Sequence, residues 1–172
     1  MGFYDTVFEF IDMRSFSNLW FWIMLAVVWS SASHWVLGVP FDMVTRARRN
    51  PHAAADLESL AAINANRLIF IADEAGLWLT AIASALLTGL ALLGFLYGSE
   101  FAQAVFLLIA PLSFVFLLSL RTARRVLDTD RAGDALRRRL GLHRILVQAI
   151  GLVAIFFTAL WGMYQNIASP FL

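Results

Sequence analysis

His34 stands where an imidazole could hold a metal-centred ring. It closes a polar patch, Ser30-Ser31-Ala32-Ser33-His34, inside an otherwise apolar run. A neutral imidazole ligates haem iron or a chlorophyll magnesium, and a small residue one helical turn earlier, here Ser30, leaves room for a flat ring. The same side chain is equally able to bond serines, a neighbouring helix or water, since it lies only about two turns before Pro40. A two-histidine haem is less well supported, because His52 and His143 both fall in polar segments.

A second constellation is Asp73-Glu74 with Arg67 six residues before Asp73 and seven before Glu74, the latter spacing nearly on one helical face. Carboxylates within a membrane are costly and often mark proton or ion paths. These two open an apolar run instead of sitting at its centre, and acids at a helix start also suit the helix dipole. No apolar run carries an ionisable group at its centre, which argues against a proton pump or solute carrier built from this chain alone. Asp128-Thr129-Asp130-Arg131-Ala132-Gly133-Asp134 has a superficial likeness to a calcium loop. It lacks the third acidic position and the distant glutamate, and arginines crowd it. Asp134 with Arg138 at i+4 reads as a helix ion pair.

Arginine is the strongest signal. All thirteen basic residues are arginine, and there is no lysine. Arg46, Arg48, Arg49 and Arg67 share one polar segment. Arg121, Arg124, Arg125, Arg131, Arg137, Arg138, Arg139 and Arg144 share another. Such clusters attract anionic lipid headgroups or an acidic partner surface, with Arg121, Arg124, Arg125, Arg137, Arg138 and Arg139 as the contact residues. Nucleic acid would use the same charge, but this segment has no aromatic residue for stacking, so none is expected. The chain has no cysteine. That removes thiolate zinc sites, cysteine-ligated iron–sulfur clusters and cysteine nucleophiles from this sequence. No catalytic triad, P-loop or dinucleotide fingerprint is present. The chain reads as non-enzymatic, with no resident cofactor unless His34 binds a haem or a chlorophyll-type pigment.

The elements that position these residues are membrane spans. Of 172 residues, 60% are hydrophobic, above the roughly half expected of soluble domains. The mean hydropathy is +0.74. The excess lies in blocks of about 20 residues, the length that crosses about 30 Å of hydrocarbon as helix. Four spans are expected, over 19–39, 76–97, 101–120 and 145–164. Trp20, Trp22 and Trp35 mark the interfaces of the first. Asn50-Pro51 should start a helix that runs into the second, and Pro111 should kink the third. Polar segments cover 40–75 and 121–144. Gly133 divides the latter into a helical continuation and a short second helix.

Residues 2–17 place Phe3, Val7 and Ile11 opposite Asp5, Glu9 and Asp12. That pattern predicts an amphipathic helix lying on the membrane. Three acids and a late Arg14 are unlike a cleavable signal peptide, so the first span should remain as an anchor. With both termini outside, Arg14 alone is external and every other arginine faces the cytoplasm, as the positive-inside rule requires. Small residues form a stripe at Ala81, Ala85 and Gly89, with Gly94 and Gly98 beyond it. Another runs through Ala154, Thr158 and Gly162. Such stripes let helices approach closely, within this bundle or against another subunit.

The stretches Ile11–Trp20 (IDMRSFSNLW) and Ser33–Pro40 (SHWVLGVP), with Asn64-Ala65-Asn66-Arg67 and Leu118–Arg125, resemble a family of small four-span bacterial inner-membrane proteins. Some members carry the label of a component of an iron–sulfur-cluster assembly complex. The resemblance covers most of the chain and implies no functional residues.

The expectation is therefore an all-α integral membrane four-helix bundle with an N-terminal interfacial amphipathic helix, in a bacterial inner membrane, both termini periplasmic. The expected role is an accessory or assembly subunit docking against a larger integral-membrane complex. Span aromatics such as Trp29, Phe95, Phe114, Phe116, Phe156 and Phe157 would supply contact area. Two alternatives differ in class: a homo-oligomeric channel or transporter with a path near Arg67, Asp73 and Glu74, and a pigment- or haem-binding protein through His34.

Overall fold

The computed structural model describes residues 15–168, so the amphipathic helix expected over 2–17 lies almost wholly outside the described residues. Within them the chain is nearly all helix. A short turn, Ser15–Ser17, leads into α1, Leu19–His34. Asn18 caps α1, its side-chain oxygen accepting from the Trp20 backbone N–H at 3.0 Å.

The helix of the expected first span, 19–39, ends earlier than the sequence suggests. The helix stops at His34, and Trp35–Val36 (β1) pairs antiparallel with Val39–Pro40 (β2). The loop between them is Leu37 (φ 53°) and Gly38 (φ 71°). Two successive positive φ angles make the tight hairpin turn that matches strand twist. Leucine pays a steric penalty in that region. Its buried side chain and a bond from Asn64 Nδ2 to the Gly38 carbonyl, 3.1 Å, hold the turn. Sixteen helical residues rise about 24 Å, short of the about 30 Å of a hydrocarbon core.

After α2, Phe41–Arg46, comes α3, Pro51–Ala91. It starts where Asn50-Pro51 predicts: Asn50 accepts from the His52 N–H at 2.9 Å, and Pro51 takes the first helical position. It continues through the expected second span into a wider turn, Leu92–Leu96, and ends at Gly98, whose φ is +74°. Ser99 then caps α4, Glu100–Asp128, which carries Pro111 inside it. The final helix, α5, runs unbroken over Gly133–Ala168, so no separate short helix follows Gly133. The glycine, at φ +61°, is the turn itself. Its N–H donates to Glu58 of α3 at 2.8 Å, tying the start of α5 to a distant helix. Three helices are long and apolar enough to cross a membrane: α3 with its extension to Leu96, α4, and α5.

Packing divides into two regions. At the arginine-rich end, the hairpin, α2 and the first half of α3 close over the facing ends of α4 and α5. Val36, Val39, Leu57, Val126, Leu136 and Leu140 fill that core. Along the apolar stretches the core is thin, with Leu25, Trp29 and Ala154 at its centre. There α1 lies along α5: Phe16 meets Gly162, and the Trp29 ring sits on Gly151. The apolar window of α3 is only 6% buried, against 28% for that of α5. One long face of α3 therefore lacks a partner inside this chain.

Candidate functional site

The α4–α5 seam at the arginine-rich end collects five ionisable side chains. Arg121, Arg124 and Arg125 share a face of α4, because residues three and four apart are helical neighbours. Arg139 and His143 face them from α5, and together these five border one hollow. Arg124 reaches Asp73 of α3 at 3.9 Å, both side chains exposed. Arg139 bonds Asp130 at 2.6 Å in a partly buried pair. Among the described residues, Arg121 and Arg125 have no carboxylate partner.

The arginines expected to make contacts differ in exposure. Arg138 is exposed, but Arg137 turns inward, to Asp134 and the Ala47 carbonyl. This corrects the expected Asp134–Arg138 pair: the acid meets Arg137 at i+3. Arg144 stacks 4.0 Å over the Phe41 ring, a cation–π contact that holds α2 to α5.

His143, which the sequence places merely in a polar segment, is buried behind these arginines. Its Nδ1 lies 2.9 Å from the Thr122 hydroxyl and its Nε2 3.5 Å from Ser119. The signal was present: Ser119 and Thr122 are spaced i, i+3, so both can face one imidazole. His34 does the reverse. It is exposed, packed edge-on against Trp35, and borders none of the hollows along α4 and α5. Arg67, Asp73 and Glu74 are also exposed. Asp73 pairs across to Arg124 instead of along its own helix to Arg67, so these three do not gather into one site. Among the described residues no His, Asp or Glu cluster is placed to hold a metal ion.

The two small-residue stripes behave differently. Ala154, Thr158 and Gly162 are buried where α1 and the Ser15–Ser17 turn lie against α5. Gly94 is also used: a Cβ added there would lie 2.9 Å from the Gln103 backbone nitrogen. Ala81 and Ala85 are exposed, and a Cβ added at Gly89 or Gly98 would meet open space.

Gln103 is a polar node with no counterpart in the sequence reading. Buried at the far end of α4, it donates to the Gly94 carbonyl at 2.8 Å. Its own carbonyl oxygen accepts from Trp161 Nε1, 2.9 Å, and from Gln165. One amide thus joins three helices. Gln103→Leu should cost about 1–3 kcal/mol, because it leaves two part-buried donors and a buried acceptor without partners. Thermal unfolding in one fixed detergent measures this, and an unchanged midpoint would show that the node carries no stability.

Comparison of the chain with protein-family models, with curated proteins and with solved structures finds no match.

Proposed function

We propose that the chain is a non-catalytic accessory or assembly subunit that docks the open face of α3 against a larger integral-membrane complex. The observation that carries this reading is the unpartnered stripe Ala81, Ala85 and Gly89, flanked by exposed Leu77, Trp78 and Ile82. Lipid tails solvate a leucine as well as a neighbouring helix would, so exposed apolar residues alone mean little in a bilayer. Small residues are different, because their use is to let a second backbone come close.

The same reading places the chain in a bacterial inner membrane with four crossings, α1 being the short one. Phe16 meets α5 at Gly162, whereas Val36 shares a core with Leu140, so α1 and its hairpin travel most of the length of α5. The arginine-rich end then faces the cytoplasm and both termini the periplasm, as charge asymmetry favours.

Because the natural sequence has no cysteine, a single introduced thiol is unique. Ala85→Cys, cross-linked in native membranes, should yield one adduct with a chain of different mass. Leu152→Cys, exposed on α5, should yield none. An adduct of two copies of this chain would replace the accessory reading with the homo-oligomeric channel or transporter. Absence of any adduct from Ala85→Cys would overturn docking through α3.

A further inference from the structure

We infer that the seam between α4 and α5 is a seat for one anionic phospholipid, its phosphate held by Arg121 and Arg125 and an acyl chain laid along the apolar trough below. This rests on the chain being membrane-embedded and is independent of whether α3 docks a partner.

Three hollows run end to end along the seam. The first is bordered by Arg121, Arg124, Arg125, Arg139 and His143. The second shares Leu118, Arg121, Arg124 and Leu146 with it and continues past Phe114 and Ile150. The third shares Phe114 and Ile150 and reaches Leu107, Pro111, Val153 and Phe157. Their volumes are about 450–490 Å³ each, within the roughly 300–1,000 Å³ of small-molecule sites. The trough is thus continuous, cationic at one end and apolar at the other.

Charge and length both fit this occupant. Four guanidiniums border the mouth and two carboxylates, Asp73 and Asp130, answer them. Arg121 and Arg125 are left to bind an anion. Guanidinium takes phosphate oxygens in paired, charge-assisted bonds. From Leu118 to Leu107 the apolar wall of α4 rises about 16 Å, close to the roughly 15 Å of one leaflet, half of a hydrocarbon core. A soluble phosphate would need only the mouth. The apolar continuation is what selects a lipid.

The test uses purified full-length protein in mild detergent, with phosphatidylglycerol and phosphatidylcholine of equal chain length as probes and retained lipid read by native mass spectrometry. Phosphatidylglycerol should be retained on the order of tenfold over phosphatidylcholine. R121Q/R125Q should remove that preference, whereas R48Q/R138Q, which deletes the same charge at exposed positions away from the seam, should keep it. Ala149→Phe, in the wall of the third hollow, should lower retention of phosphatidylglycerol severalfold without touching charge. Equal losses in the two arginine pairs would overturn the seat in favour of diffuse surface attraction. Retention unaffected by Ala149→Phe, or abolished by equimolar inorganic phosphate, would overturn the lipid in favour of a free anion. The substituted arginines are exposed, so folding should survive. If R121Q/R125Q nevertheless unfolds, Ala149→Phe and R121Q alone decide the outcome by the same criteria.

Discussion

Leu140→Ala should lower stability by about 2–5 kcal/mol, the range for emptying a filled core site, whereas Leu86→Ala should change it by less than about 0.5 kcal/mol. Leu140 is 0% exposed and packs with Leu57, Val126 and Leu136 in the arginine-end core. Leu86 is 48% exposed on the open side of α3. Both are leucines on long helices, but Leu140 lies in the basic segment 121–144 and Leu86 in an apolar run, so hydropathy alone would favour burial of Leu86. The difference is physical. At the arginine-rich end, burial takes apolar surface out of water, and the hydrophobic effect rewards it by about 25 cal/mol per Å². Between spans it only exchanges lipid for protein, and the reward shrinks to packing. The hairpin, α2 and the front of α3 thus clamp helices whose mutual burial in the bilayer is slight. Unfolding of both variants in one detergent, followed by circular dichroism, makes the comparison. Equal losses would mean that the open side of α3 contributes as much as the cap.

Much of this architecture was legible because local chemistry marks it. Asn50-Pro51 announced the start of α3, Gly98-Ser99 the turn into α4, and block hydropathy the three long helices. The end of α1 was not legible. Trp35-Val36-Leu37-Gly38-Val39 reads as more span, because nothing nearby reveals that Asn64, twenty-six residues on, bonds the Gly38 carbonyl and fixes a turn there. The site residues divide by the same logic. The arginine cluster is visible as composition, yet no local rule says that Arg137 turns inward while Arg138 stays out. The two histidines differ for a related reason. His34 had the suggestive neighbours, and His143 had the hydroxyl partners, which lie on another helix. Small-residue stripes share the ambiguity. Ala81-Ala85-Gly89 and Ala154-Thr158-Gly162 look alike in sequence, because a bilayer and a neighbouring helix ask for similarly apolar surfaces.

The sharpest consequence of that asymmetry concerns two glycines. Gly151→Ala should destabilise the protein by about 1–3 kcal/mol, the cost of overfilling a packed contact. A Cβ there would lie 2.6 Å from Cε3 of the buried Trp29 ring, a distance that real contacts do not tolerate. The strain should force α1 away from α5. Gly89→Ala should be neutral or slightly stabilising in the isolated chain, because its new methyl meets open space and alanine is the better helix former by about 1 kcal/mol. Trp29→Ala alone should cost about 3–5 kcal/mol as a lost large side chain. Adding Gly151→Ala to it should cost nothing more, because the methyl then fills part of the space the indole left. The double-mutant cycle isolates that coupling, measured by unfolding in a common detergent. Additive losses would place the Trp29 ring elsewhere than on Gly151 and so remove the contact that seats α1 on α5. In native membranes the order of the two glycines should narrow: if α3 docks a partner through its stripe, Gly89→Ala becomes costly there while remaining harmless in detergent.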